Sequence, residues 1–85
     1  MSMFERKNAE LLTEFDRYVV EHPQVVDAIP NGALVALEVE DDVDFNQWSQ
    51  QMARTQVEPG QQIVFIKIKK LRPEQSRIEE LAIAV

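Results

Sequence analysis

The chain has 85 residues, no cysteine and a formal net charge of −6. We expect one small domain over residues 1–85, whose single core is marginal because so short a chain buries only about 60–65% of its unfolded surface. Disulfides and thiolate metal sites are excluded, which leaves oligomerisation as the expected source of added stability. The acidic balance argues against nucleic acids and anionic membranes as partners.

The apolar stretches of the sequence are short. The longest, residues 32–37 and 63–66, are far too short to cross a bilayer. The first residues, Met-Ser-Met-Phe-Glu-Arg-Lys, become charged without the apolar region of a secretory signal. The sequence therefore predicts a cytoplasmic protein with no membrane partner.

An amphipathic helix is predicted over residues 3–21. Ser2 and Glu5 have the spacing of a capping box, and Pro23 ends the helix because the residue before a proline avoids the helical region. A short second helix is expected after Pro23, closed by a Pro-Asn-Gly turn at 30–32. The apolar stripe of the first helix is formed by Phe4, Leu11, Phe15, Tyr18 and Val19.

Two strands with a helix between them follow. Residues 33–40 and 63–71 are apolar on both faces at first and polar on one face later. The helix near 44–56 carries Phe45, Trp48 and Met52 at helical spacing, and one of the aspartates before it is expected to cap it. A strand, a helix of about a dozen residues and a second strand form a parallel crossover. The predicted fold class is thus α/β, with a helix and a short helix before a β-α-β unit of two adjacent parallel strands.

Charges support this pairing of the strands. In parallel register Glu38 and Glu40 lie beside Lys67 and Lys69. Opposite charges on neighbouring strands contribute about 0.2–1 kcal/mol per pair, whereas like charges there oppose pairing. The sequence therefore predicts that the two strands are neighbours.

The C-terminal residues fit two structures. Leu81 and Ile83 alternate with alanines, so we favour a third strand at 78–84. Ser76 and Glu79 also have capping-box spacing, and the same apolar residues fit a helix. Short apolar runs are poorly distinguished by periodicity, so both alternatives stay open.

Acidic residues cluster where the first strand ends: Glu38, Glu40, Asp41, Asp42 and Asp44. Ligands of open α/β sheets bind at the carboxyl ends of strands, and hard cations prefer oxygen ligands. Asp41, Asp42 and Asp44 are thus the candidates for a divalent-metal site. Because EF-hand spacing and a phosphate-binding glycine loop are missing, helix capping and strand pairing are the favoured interpretation of these acids.

No catalytic set stands out. His22 is the only histidine, and no serine or threonine is marked as its nucleophile partner. The basic residues near the second strand lack interleaved aromatics for stacking on bases. We expect no cofactor, and a non-enzyme is favoured. These basic residues are Lys67, Lys69, Lys70, Arg72 and Arg77.

The crossover helix has an unusually neutral outer face. Gln47, Gln50 and Gln51 lie on it, and subunit interfaces are depleted in charged residues. These glutamines are therefore candidate contacts in a homodimer, which would also protect the exposed strand edges.

Several short motifs follow one another in a recognisable order. They are Glu-Phe-Asp-Arg-Tyr, Glu-His-Pro, Ile-Pro-Asn-Gly-Ala, Glu-Asp-Asp-Val-Asp-Phe-Asn-Gln-Trp and Ile-Lys-Lys-Leu-Arg-Pro. From Phe4 to Arg77 the chain resembles a family of small prokaryotic proteins of unknown function, about 90 residues long, the size of one domain. The resemblance implies a prokaryotic origin and carries no catalytic residue over to this chain.

Two functions are open from the sequence. The favoured one is a non-enzymatic interaction or regulatory module that acts as a homodimer, with a second protein as a candidate partner. The alternative is a small-ligand or divalent-metal-binding protein, or a weak enzyme, that uses the acidic edge after the first strand.

Overall fold

The elements of the chain come in the predicted order. The computed structural model describes residues 2–73 and 75–84. Its elements are α1 (Met3–Glu21), α2 (Gln24–Asp27), β1 (Leu34–Val39), α3 (Val43–Gln56) and β2 (Ile63–Ile68). The predicted α/β class is confirmed. Within those ranges, no helix combines the length and the apolar character that a membrane crossing requires.

Side-chain caps fix the starts of the two long helices. At α1 the Ser2 hydroxyl accepts a hydrogen bond from the Glu5 N–H at 3.1 Å, and the Glu5 carboxylate accepts from the Ser2 N–H at 3.4 Å. At α3 the Asp42 carboxylate accepts from the Phe45 N–H at 3.2 Å. Each contact satisfies an N–H group that has no partner within its helix, and both predicted caps are confirmed.

β1 and β2 form a two-stranded parallel sheet. Glu38 lies opposite Lys67, so the predicted adjacency of the strands is confirmed. The predicted ion pair is not formed, because the Glu38 carboxylate instead accepts a hydrogen bond of 2.6 Å from Gln50 Nε2. Glu40 and Lys69 lie beyond the ends of the strands, so their predicted pairing within the sheet is also wrong.

The core joins one residue from each of three elements. Leu11 of α1, Leu37 of β1 and Phe45 of α3 are buried, and Phe45 has 0% of its surface exposed. Burying a side chain of this size stabilises the fold by about 1.5–3 kcal/mol. Leu11 and Phe45 therefore meet on the face of the sheet that carries Leu37. The residues around this cluster are Phe4, Phe15, Val35, Val39, Trp48, Ile66 and Ile68.

α3 satisfies the outer edge of β1 with side chains. The N–H groups of Leu34 and Glu40 donate to carbonyls along β2. Because successive peptide groups of a strand point to opposite sides, those of Leu37 and Val39 point away from β2. The Asn46 side chain accepts from the Val39 N–H at 2.8 Å and donates to the Val39 carbonyl at 2.7 Å. Ser49 Oγ donates to the Leu37 carbonyl at 2.6 Å. These three bonds replace those of a third strand.

The strand predicted at 78–84 is not formed. Described residues 69–73 and 75–84 contain neither helix nor strand, and β2 ends at Ile68 rather than at residue 71. The segment 78–84 is exposed throughout. The molecule measures 64 × 31 × 22 Å, with a radius of gyration of 16.6 Å, against about 12 Å for a compact chain of this length.

Substituting Asn46 tests the polar cover of β1. We expect Asn46→Ala to lower the free energy of unfolding by about 1–3 kcal/mol, because the Val39 N–H and carbonyl lose their partners in a half-buried place. Urea denaturation followed by the fluorescence of Trp48 measures the change. The matched control is the exposed neighbour Gln47→Ala, which should change stability by less than about 0.5 kcal/mol. Equal effects of the two substitutions would contradict the assignment.

Candidate functional site

An open groove runs between α1 and β2; we call it the α1–β2 groove. Its volume is about 1230 Å³. Tyr18 is 51% exposed there, and Leu71 is 55% exposed. An apolar floor of this kind is typical of a surface that binds another chain. The apolar side chains of the groove are Leu11, Phe15, Tyr18, Val25, Ile66, Ile68 and Leu71.

The two walls of the groove carry opposite charge. The α1 wall includes the acidic residues Glu10, Glu14 and Glu21 together with Lys7 and Arg17, which leaves it one net negative charge. The wall formed by β2 and the residues after it is basic, and the sequence singled out its charges as a candidate patch. Oppositely charged walls favour a ligand that has both signs of charge, as a polypeptide does. The basic residues of this wall are Lys67, Lys69, Lys70 and Arg72.

The outer edge of β2 borders this groove. The carbonyls of Gln62 and Ile68 accept hydrogen bonds from β1, so the alternation of peptide groups directs those of Ile63, Phe65 and Lys67 outward. Among the hydrogen bonds of residues 2–73 and 75–84, none reaches these outward N–H and carbonyl groups. An unpaired edge is a template for pairing with another strand.

His22 lies at one end of the groove, where α1 ends. Its ring stacks on the ring of Tyr18, with centroids 4.0 Å apart and planes 17° apart. Its Nδ1 lies 3.1 Å from the Tyr18 carbonyl oxygen. Local contacts at the helix end thus account for the single histidine.

The three candidate metal ligands follow β1 but have different roles. Asp41 is a turn residue with φ of 69°, a conformation that aspartate tolerates better than most residues. Asp44 is exposed in the first turn of α3. Asp42 caps α3 and also pairs with the Lys7 ammonium. Within the described part of the chain, no three acidic or histidine side chains are grouped so that they could hold a metal ion. Metal binding at these aspartates stays a prediction.

Lys7 and Asp42 link α1 to the start of α3. The Lys7 ammonium donates to the Asp42 carboxylate and lies 5.2 Å from the centroid of the Phe45 ring. The hydrogen bond from Lys7, followed by that from the Phe45 N–H, lowers the pKa of the Asp42 carboxyl. The charge on Asp42 therefore serves to hold the two helices together.

The candidate interface glutamines lie outside the α1–β2 groove. Gln47 and Gln51 are exposed, whereas Gln50 is half-buried and donates to Glu38. Contact of these residues with another subunit stays a prediction.

Sequence reasoning missed the groove because Phe15 and Tyr18 were assigned to the apolar stripe of α1. That stripe lies on a single helix face, so its periodicity gave no signal that part of it is exposed.

A comparison with protein families gives one match. The chain belongs to a family of unknown function (DUF5647), whose model matches residues 3–81. No curated protein and no solved structure matches the chain. The resemblance to a family of unknown function is thus confirmed, and prokaryotic origin stays a prediction.

The Lys7–Asp42 pair should make stability depend on pH. A carboxyl whose pKa is lower in the folded chain contributes stability that is complete above its unfolded pKa, ordinarily 3.8, and is lost as the pH falls through the folded pKa. We expect Lys7→Gln to destabilise the protein near neutral pH, and the difference from wild type to shrink below pH 3.8.

Chemical denaturation of both proteins across this pH range measures that difference. Lys70→Gln, which removes the same charge from an exposed site, should give a difference that does not shrink with acid. Asp42→Asn keeps an N-cap side chain but removes the charge, so Lys7→Gln should have little further effect in that background. Additive effects of the two substitutions would show that the pair does not interact.

Proposed function

We propose that this chain is a cytoplasmic, non-enzymatic interaction module that acts as a homodimer. The observation that carries the proposal is the open edge of β2 beside the α1–β2 groove. The edge offers unpaired peptide groups, and the groove offers an exposed apolar surface. Binding of another polypeptide would pair the peptide groups of the edge and would also cover the apolar surface of the groove.

The small core supports this proposal. Among residues 2–73 and 75–84, five apolar residues are buried: Leu11, Ala36, Leu37, Phe45 and Ala53. A two-stranded sheet is marginal in water unless further packing supports it. In a homodimer, apolar area now exposed in the groove would leave water, which favours association. Association and stability would therefore be coupled.

The chemistry of the groove walls also supports binding over catalysis. The side chains there are mainly apolar or long and charged, which suits recognition of a chain with mixed charge. His22, the residue best suited to proton transfer near neutral pH, is held by Tyr18 through ring stacking and a polar contact. A second copy of this chain carries both signs of charge and exposed apolar residues, so we favour it as the partner.

Light scattering coupled to size-exclusion chromatography tests the proposal. We expect a mass of twice the 9.8 kDa of one chain at micromolar concentration, falling towards the single mass on dilution. The melting temperature should rise with protein concentration, because dissociation accompanies unfolding. A single-chain mass at every concentration would overturn the homodimer.

A further inference from the structure

We propose that residues 78–84 of a second copy of this chain add to the open edge of β2 as an antiparallel strand, with Leu81 entering the α1–β2 groove and Ile83 lying on the same face of the sheet. The inference rests on the proposed function, because it requires a homodimer. It joins two features that lack a partner among the described residues of one chain: an unpaired strand edge and an exposed segment with strand-like alternation.

The segment 78–84 has the properties of an unpaired strand. Leu81 is 74% exposed and Ile83 is 85% exposed, although both are large apolar residues. They share one face of an extended chain, and Ala82 and Ala84 share the other. One face would therefore enter an apolar groove, while the small alanines lie on the opposite side.

Charge selects the direction of the added strand. Glu79 and Glu80 come directly before the apolar residues. An antiparallel strand places these acids near the end of β2, where Lys67 and Lys69 lie. A parallel strand would place them near the start of β2, beside neutral residues such as Gln62. Opposite charges across strands stabilise pairing, so the antiparallel direction is favoured.

The open groups of β2 then fix the register. Residues that exchange both hydrogen bonds in an antiparallel pair lie directly opposite each other. With Ala82 opposite Phe65, Glu80 comes opposite Lys67. The same register uses every outward peptide group of β2, since Ala84 comes opposite Ile63.

This register also places the apolar side chains correctly. Leu81 comes opposite Ile66, and Ile83 comes opposite Val64. Ile66 packs against the core cluster and lines the groove, and Val64 shares its face of the sheet. The two exposed apolar residues of the segment thus extend the existing core. A shift of one residue would turn both towards the opposite face.

A second copy fits better than the chain's own segment. Described residues 69–73 and 75–84 contain no turn, and residues 69–84 include no Gly, Asn or Asp for a tight reversal. Pro73 fixes its own backbone and favours an extended Arg72. The segment consequently runs away from its own β2, and the molecule reaches 64 Å in its longest dimension. Reciprocal exchange of such a segment gives a symmetric dimer.

A pair of cysteines tests the contact directly. The natural chain has no cysteine, so Phe65→Cys with Ala82→Cys introduces the only two thiols. Directly opposite residues of a hydrogen-bonded pair have Cα atoms about 5.5 Å apart, which suits a disulfide. We expect mild oxidation to give covalent dimers, and peptide mapping to find residue 65 joined to residue 82. Val20→Cys with Ala82→Cys, which moves one thiol to an exposed place outside the groove, should not cross-link this way.

An intrachain disulfide between residues 65 and 82 would overturn the exchange, because the segment would then be the third strand of its own chain. A failure of residues 65 and 82 to cross-link, in a protein that light scattering shows to be a dimer, would overturn strand addition and leave the proposed function in place. A wild-type chain that is monomeric would overturn both.

Charged substitutions in the segment provide a second measurement. Leu81→Asp with Ile83→Asp should raise the Kd of the dimer at least about tenfold, because both substitutions would bring a charge onto an apolar face of the sheet. The matched control is Val20→Asp with Val26→Asp, which adds the same charges to exposed apolar positions outside the groove. An unchanged Kd in the segment variant, or an equal change in the control, would contradict the inferred contact.

Discussion

The constraint on which this fold depends is that a sheet of two strands has two edges. Each edge presents peptide groups that need hydrogen-bond partners when they are taken from water. The chain treats its two edges differently. β1 is covered by α3, where Asn46 and Ser49 bond to the Val39 and Leu37 peptide groups. In the part of the chain that the structure describes, no helix covers the edge of β2 in this way, so that edge stays open beside the groove.

The position of α3 explains this difference. A crossover helix must return the chain from the end of β1 to the start of β2, and Asp42 at its start is held by both the Phe45 N–H and Lys7 of α1. Phe45 then enters the core while Asn46, the next residue, reaches the backbone of β1. One turn of α3 therefore supplies the cap, the core contact and the edge cover. Consequently α3 stays on the β1 side of the sheet.

Most of the fold could be predicted from periodicity and local stop signals. The capping box at Ser2 and the alternation in both strands act over a few residues, and the structure has each of them. The partner of Glu38 could not be predicted, because a charge match to Lys67 ignores the Gln50 amide that the crossover helix brings within 2.6 Å. The prediction of a third strand was wrong for a related reason. Alternation at Leu81 and Ile83 reports a tendency to pair, but the sequence does not say where the paired edge lies.

The candidate site, too, could be predicted only in part, because the sequence does not show which elements lie next to one another. The basic residues near Lys67 were visible in the sequence, but their role depends on α1, which forms the opposite wall of the groove. The aspartates after β1 looked like metal ligands because they cluster at the carboxyl end of a strand. In the structure Asp42 is used as a helix cap and as the partner of Lys7. A run of acids at a strand end thus gives two interpretations that only the neighbouring elements can separate.

The open edge of β2 and the exposed segment 78–84 are best understood together. An edge strand of six residues with Phe65 42% exposed is a hazard for uncontrolled association, which proteins usually limit with charge. Lys67 at the edge provides such a charge, and it would repel a second β2 that approached the same edge. Glu80 in the segment would attract it instead. The lysine charge that would hinder pairing between two β2 strands is therefore the one that would favour an acidic segment as the partner of this edge.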